Sequence, residues 1–246
     1  LSGRPIAQYA GNFRVVGDGE FRETALRQAL ASGDYPSRSP DDNVADIRAA
    51  IAANHIGAVE LRALTDDMGW PVVSEYMRFI CDAAEEKVRA AIGRLDDRVY
   101  AFDDALDDGA PICVAMTVAG DQMTVDFAGS GGVNANSLNA NFAIVQSALL
   151  YCMRCLIGED IPLNAGVLKP IELLVPEGML RPPAAADATK RAAVVGGNVE
   201  VSQRIVDVIF GALGVAAASQ GTMNNFVFGN DRFGYYETIC GGSGAT

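Results

Sequence analysis

The chain has 246 residues, half of them hydrophobic and a fifth charged, and carries a formal net charge of −12. That length can bury a substantial core, while the acidity excludes nucleic acid or an anionic membrane as the main partner, because both select for positive surface. No apolar run reaches the about 20 residues that a membrane span needs, and five scattered cysteines make no disulfide framework, so a reducing, cytoplasmic setting is expected.

In chain order, Phe21–Leu30 has helical spacing, with Phe21, Ala25, Leu26 and Ala29 on one face. A longer helix is predicted to begin at Asp41 or Asp42 and to stop at Gly69, its apolar positions Val44, Ile47, Ile51 and Ile56 recurring at three and four residues. Pro71 opens a second, with the core stripe Val72, Tyr76, Phe79, Ile80, Val88 and Ile92. The short connection predicts an antiparallel hairpin. The period then changes to two. Val99–Phe102 reads as a strand, and Ile112–Val118 with Met123–Phe127 reads as a β-hairpin. Asp103, Asp104, Asp107 and Asp108 lack EF-hand spacing and read as a solvated loop. Phe142–Leu156 is apolar nearly all round, which predicts a buried helix. A strand at Ile171–Val175 and a helix from Val199 to Leu213, capped by Asn198, follow. The end returns to strands at Asn225–Phe228 and Tyr235–Ile239. No βαβαβ register is visible. The expected fold class is α+β (mixed α/β), a helical hairpin followed by mixed sheets with packed helices. Residues 1–98 form a mainly helical segment and 99–246 a mixed strand/helix segment, both parts of one larger, incomplete domain.

Asp126–Asn141, D-F-A-G-S-G-G-V-N-A-N-S-L-N-A-N, is the most informative stretch. A strand feeds three glycines and four asparagines, and a helix start follows. Glycine permits close backbone approach, asparagine both donates and accepts, and a helix N-terminus adds unpaired N–H groups and positive dipole. Such a surface suits a carbonyl, carboxylate or phosphate. The same composition is also ordinary loop chemistry. It is neither a Walker A loop nor a dinucleotide fingerprint. Asp126 is expected to hold the glycine loop by local hydrogen bonds. His55, the only histidine, has no catalytic context and reads as a helix-face residue. Cys152 and Cys155, although spaced C-x-x-C, read as buried free thiols. Arg204 could reach a carboxylate bidentately, but a surface position is expected. Glu237, four residues before Gly241, reads equally as a general acid/base raised by burial or as a carboxylate capping the glycine turn.

Four segments stand in order: Pro40–Asn54 with Gly57; Val125–Ser130 with Asn139; Asp160–Gly166 with Pro170-Ile171 and Val175–Gly178; and Gly221–Asn224, Phe228-Gly229 and Tyr236–Ala245. The series resembles the hydantoinase B / 5-oxoprolinase family, whose relatives include subunits of acetone and acetophenone carboxylases. The resemblance implies a B-type subunit or domain working with a hydantoinase A-type ATPase subunit. ATP would be bound by that partner, which phosphorylates a carbonyl oxygen. The B-type part then handles the activated lactam by hydrolysis. Ketone carboxylation, or a non-catalytic structural role, are the alternatives. Phosphorylation turns a poor electrophile into one with a good leaving group, and donors aimed at the developing oxyanion lower the barrier. On that basis Glu237 and Asn164 are the expected catalytic residues, and Ser130, Asn139, Asn141, Asn224, Gly241 and Gly242 the substrate-binding ones. The family's divalent-metal motif of histidines and aspartates is missing, so no metal ligand is assigned. The chain opens on Leu1 rather than methionine and is expected to be a central fragment whose partners include the remaining pieces of the B-type subunit.

Overall fold

The computed structural model describes residues 13–32, 36–185, 190–218, 220–230 and 232–241. They fall into two compact units. One comprises residues 13–79 with 185 and 190–191, the other 80–184 and 192–241.

In the first unit, two short antiparallel strands, β1 (Val16–Gly17) and β2 (Glu20–Phe21), precede helix α1 (Glu23–Ala31). Leu26 and Leu30, four apart on α1, bury against Val44 of the long helix α2 (Pro40–Met68), with Phe21 and Ile47 at the margin. Pro40 sits in the first turn of α2, where its missing N–H costs nothing. Helix α3 (Trp70–Ile92) begins one residue later. Gly69 is that single joint and has φ 83°, the left-handed region that a side chain resists. The predicted antiparallel hairpin is not what forms across residues 40–79. One residue is too short to reverse the chain, and Ile56, Leu64, Met68, Trp70, Tyr76 and Phe79 stay exposed rather than interleaving.

The second unit is built on a four-stranded sheet of β3 (Val99–Ala105), β4 (Pro111–Ala119), β5 (Gln122–Asp126) and β6 (Ile171–Leu174), in that order. The first three form an antiparallel meander, with Tyr100 opposite Met116 and Val125 opposite Met116 on its far side. Period two buries Ile112, Val114, Met116 and Val118 of β4 with Met123 and Val125 of β5, and the opposite face stays partly wet. β6 runs parallel to β5, Met123 facing Ile171. A parallel neighbour needs a crossover, and helix α4 (Phe142–Ile157) supplies it. The result is a single βαβ unit that the period reading passed over. α4 buries Val145, Leu149, Cys152 and Met153, and α5 (Val201–Leu213) buries Val201, Ile205, Val208 and Ile209, all into the same core as Val88 and Ile92 of α3. The chain is thus a mixed α+β protein. A last antiparallel pair, β7 (Asn224–Asn230) and β8 (Phe233–Ile239), forms a sheet of its own. Among the described residues no helix is long and apolar enough to cross a membrane.

Candidate functional site

The asparagine-rich loop between β5 and α4 is a built structure rather than a slack connection. Asp126 Oδ1 accepts from the Ala128 N–H at 2.8 Å, the local hold expected of it. The Ser130 hydroxyl accepts from Cys113 N–H (3.1 Å) and donates to Cys113 C=O (3.2 Å), fastening the loop to β4. Gly131 N–H donates to the Pro111 carbonyl at 2.8 Å, and Met179 N–H to the Gly131 carbonyl at 2.9 Å. Asn139 is fully buried. Its Oδ1 accepts from Asn134 N–H (2.7 Å), while its Nδ2 donates to the carbonyls of Asn134 (3.0 Å), Asn136 (3.2 Å) and Ala193 (2.9 Å). Gly197, in the 3₁₀ turn Val195–Asn198, lies against the Asn139 carbonyl so closely that any side chain there would overlap it.

Asp108 stays exposed, as expected of a solvated acid, and also anchors the outer side of the loop. Its carboxylate accepts from Asn134 Nδ2 (2.6 Å), Asn136 Nδ2 (3.0 Å) and Ala110 N–H (3.0 Å). These bonds, led by that from Asn134, hold its pKa below the usual carboxylate range.

Asn141 caps α4, its Oδ1 accepting from Ile144 N–H at 3.0 Å. Replacing Asn141 by alanine should lower stability by about 1 kcal/mol, measured as a shift in the urea midpoint. No change would mean that the cap is idle. Asn198 is not the cap of α5. It ends the 3₁₀ turn, and Glu200, whose side chain does not cap, stands at the helix start. Asn164 caps the short 3₁₀ helix Ala165–Leu168, accepting from Gly166 N–H (2.8 Å) and donating to the Ile80 carbonyl (3.2 Å).

Glu237 is exposed on β8 and accepts from the Tyr235 hydroxyl at 2.7 Å, which raises the Tyr235 pKa. Asn224 opens β7 and Gly241 follows β8, both exposed. Gly242 lies outside the described residues. Ser130, Asn139 and Asn141 therefore share the β5–α4 loop, Asn164 belongs to the turn before β6, and Asn224, Glu237 and Gly241 belong to the terminal hairpin. His55 is exposed on α2. Of the C-x-x-C pair, Cys152 is buried and Cys155 exposed, and burial pushes the Cys152 thiol up, away from thiolate chemistry. No three His, Cys, Asp or Glu side chains gather as a metal site among the described residues.

A cavity of about 350 Å³ lies between α4 and α5, within the size range of small-molecule sites. Ser147, Tyr151, Asn198, Ser202, Gln203 and Asp207 bring polar heads to it. Ile144, Ser147, Ala148 and Tyr151 line it from positions i, i+3, i+4 and i+7, a face that the apolar reading of α4 concealed. Arg204, only 17 % exposed, pairs with the lining residue Asp207 (2.8 Å, i,i+3) and with Asp104 of β3 (2.9 Å). Arg204 is thus an internal bridge rather than the expected surface residue. Alternation along β3 places Tyr100, Phe102 and Asp104 on one face, and Phe102 packs against Gly211 of α5. None of the positions singled out from the sequence as catalytic or substrate-binding lines this cavity.

The architecture is mixed α+β, and its relatives make it specific. The family model Hydantoinase B/oxoprolinase matches residues 9–246, and the chain belongs to that family. It is 37% identical over 257 residues to 5-oxoprolinase 1 of Arabidopsis thaliana and 39% identical over 255 residues to 5-oxoprolinase of Saccharomyces cerevisiae. Those matches cover 95% and 94% of this chain but only 20% and 19% of the relatives, so the chain spans about a fifth of their length. Among solved structures, the ATP-dependent caprolactamase from Pseudomonas jessenii shares the fold, with a TM-score of 0.66 at 18% identity over 92% of this chain and 41% of that one.

Proposed function

We propose that the chain is the central part of a B-type component of an ATP-dependent cyclic-amide hydrolase. The observation that carries this reading is its 37–39% identity to 5-oxoprolinases over nearly its whole length. The described residues offer no metal cluster, and the sequence has no phosphate-binding glycine loop of the Walker type. On family membership, ATP is assigned to a hydantoinase A-type partner, the remaining pieces of the B-type subunit complete the fold, and the cytoplasm is the proposed setting. No step is routed through a metal.

In this reading the partner delivers a lactam whose carbonyl oxygen is already phosphorylated. Glu237 takes a proton from water as its oxygen bonds to the activated carbon and returns it to the ring nitrogen as the C–N bond breaks. A second water then releases phosphate from the acyl phosphate so formed. The second N–H of Asn164 Nδ2 faces the oxygen on which negative charge develops. Asn141, Asn224, Gly241 and Gly242 contact substrate. Ser130 and Asn139, whose hydrogen bonds are already made within the loop, hold it in shape. That internal use of their polar groups also favours a second reading, in which the chain is a structural element without chemistry of its own.

The assay is ATP turnover by the complex of this chain, the other B-type pieces and the A-type subunit, with 5-oxoproline, hydantoin and acetophenone. Lactam-dependent turnover without bicarbonate is expected, and an absolute need for bicarbonate would move the complex to the carboxylases. Glu237→Gln should lower kcat by about 10²–10⁴ and Asn164→Ala by about 10²–10³. If both variants turn over normally, the structural reading holds instead.

A further inference from the structure

We infer that the β7–β8 hairpin is an interior element of a larger fold, covered on both faces by B-type polypeptide outside this chain. This rests on family membership and not on the assigned chemistry. All seven residues of β7 and all seven of β8 are exposed. A two-stranded hairpin is marginally stable by itself, so such an element ordinarily packs on something.

Alternation divides the hairpin into two faces. Phe226, Phe228, Phe233 and Tyr235 share one, where Phe228 and Tyr235 pair across the strands with ring centroids 5.0 Å apart. Glu237 and Ile239 continue that face. The four rings are 42–52 % exposed, and at about 200 Å² per ring they present on the order of 400 Å² of aromatic surface. A patch of that size equals the largest on a typical monomer, and such patches are often functional. On the other face Val227 and Tyr236 stand opposite each other, 65 % and 63 % exposed, and the Tyr236 hydroxyl, Thr238 and Asn225 form one hydrogen-bonded set.

The two-sided pattern chooses the occupant. A second copy docking through a two-fold interface would cover one face and leave the other wet. Covering both takes polypeptide layered on each side, and the relatives have the length to supply it: the chain matches 41% of the solved caprolactamase chain and about a fifth of the plant and yeast 5-oxoprolinases. Covering would also strip water from Glu237 and set that carboxylate among aromatic rings.

The test adds to this chain, in trans, the segments of the Saccharomyces cerevisiae 5-oxoprolinase that flank its matching stretch, and follows amide hydrogen exchange of residues 224–239. Exchange should slow at least ten-fold in the mixture. Val227→Asp and Phe228→Asp, one on each face, should each weaken association at least ten-fold while leaving the unfolding midpoint of the isolated chain unchanged. The inference fails if no association occurs or exchange is unaltered. It fails equally if only one variant matters, or if the chain alone is a dimer with the hairpin already protected, which would make a second copy the occupant. No readout involves ATP or a lactam, so loss of the proposed activity and loss of this interface are distinguishable.

Discussion

Replacing Arg204 by methionine lowers the stability of the chain by about 3–5 kcal/mol at pH 7, measured by urea unfolding. The figure follows from what is left behind. Asp207 is 7 % exposed and its Oδ2 lies 2.8 Å from the guanidinium. Removing the cation takes the nearest positive charge away from a carboxylate that water hardly reaches. Asp104, with a side chain 37 % exposed, is hydrated when its partner goes, so its share is at most about 1 kcal/mol. The buried carboxylate therefore decides the outcome. The double variant Arg204→Met with Asp207→Leu should recover most of the loss, because replacing both members of a buried pair by apolar groups is often neutral. A loss below 1 kcal/mol at pH 7 would show that the bridge is ornamental.

Asn139→Ala is expected to cost about 3 kcal/mol by the same measurement. The side chain is fully buried and serves one N–H and three carbonyls. Each buried group left unpaired costs about 1–3 kcal/mol, and water reaching the exposed loop relieves some of them. Asn139→Asp separates hydrogen bonding from shape. A carboxylate still accepts from Asn134 N–H but turns toward carbonyls that Nδ2 used to satisfy. Its folded pKa is raised, so the stability contributed by its protonated form is present below about 3.9 and lost as pH rises. At pH 7 it should be no better than alanine, and near pH 4 clearly better. Equal stability of Asp and Asn at pH 7 would remove the loop's central support from this account.

Much of the fold was legible in the residues because single elements carry their own period. α4, the β4–β5 hairpin and the β7–β8 hairpin lie within a few residues of their predicted bounds. What escaped depends on pairs distant in sequence. Arg204 looked like a surface residue because nothing in α5 announces that Asp104, one hundred positions earlier, ends a strand facing it. Asp108 is exposed as read, but its hold on Asn134 and Asn136 arises only once the loop is folded back. The helical hairpin failed for a local reason that could have been read: one residue between two helices cannot make a turn. The asparagines were noticed for the right property, their double hydrogen-bonding capacity, but at Asn139 that capacity closes the loop rather than facing outward.

The parallel seat of β6 beside β5 has a kinetic consequence. The meander of β3, β4 and β5 joins near neighbours in sequence and can zip up quickly, whereas β6 pairs only after α4 and both flanking loops have been laid across the gap. The closure entropy of that long excursion precedes any reward from the new ladder. During refolding the outer edge of β5 is therefore the last to be sealed, and its unpaired N–H and C=O groups make it the site most exposed to mispairing with another chain.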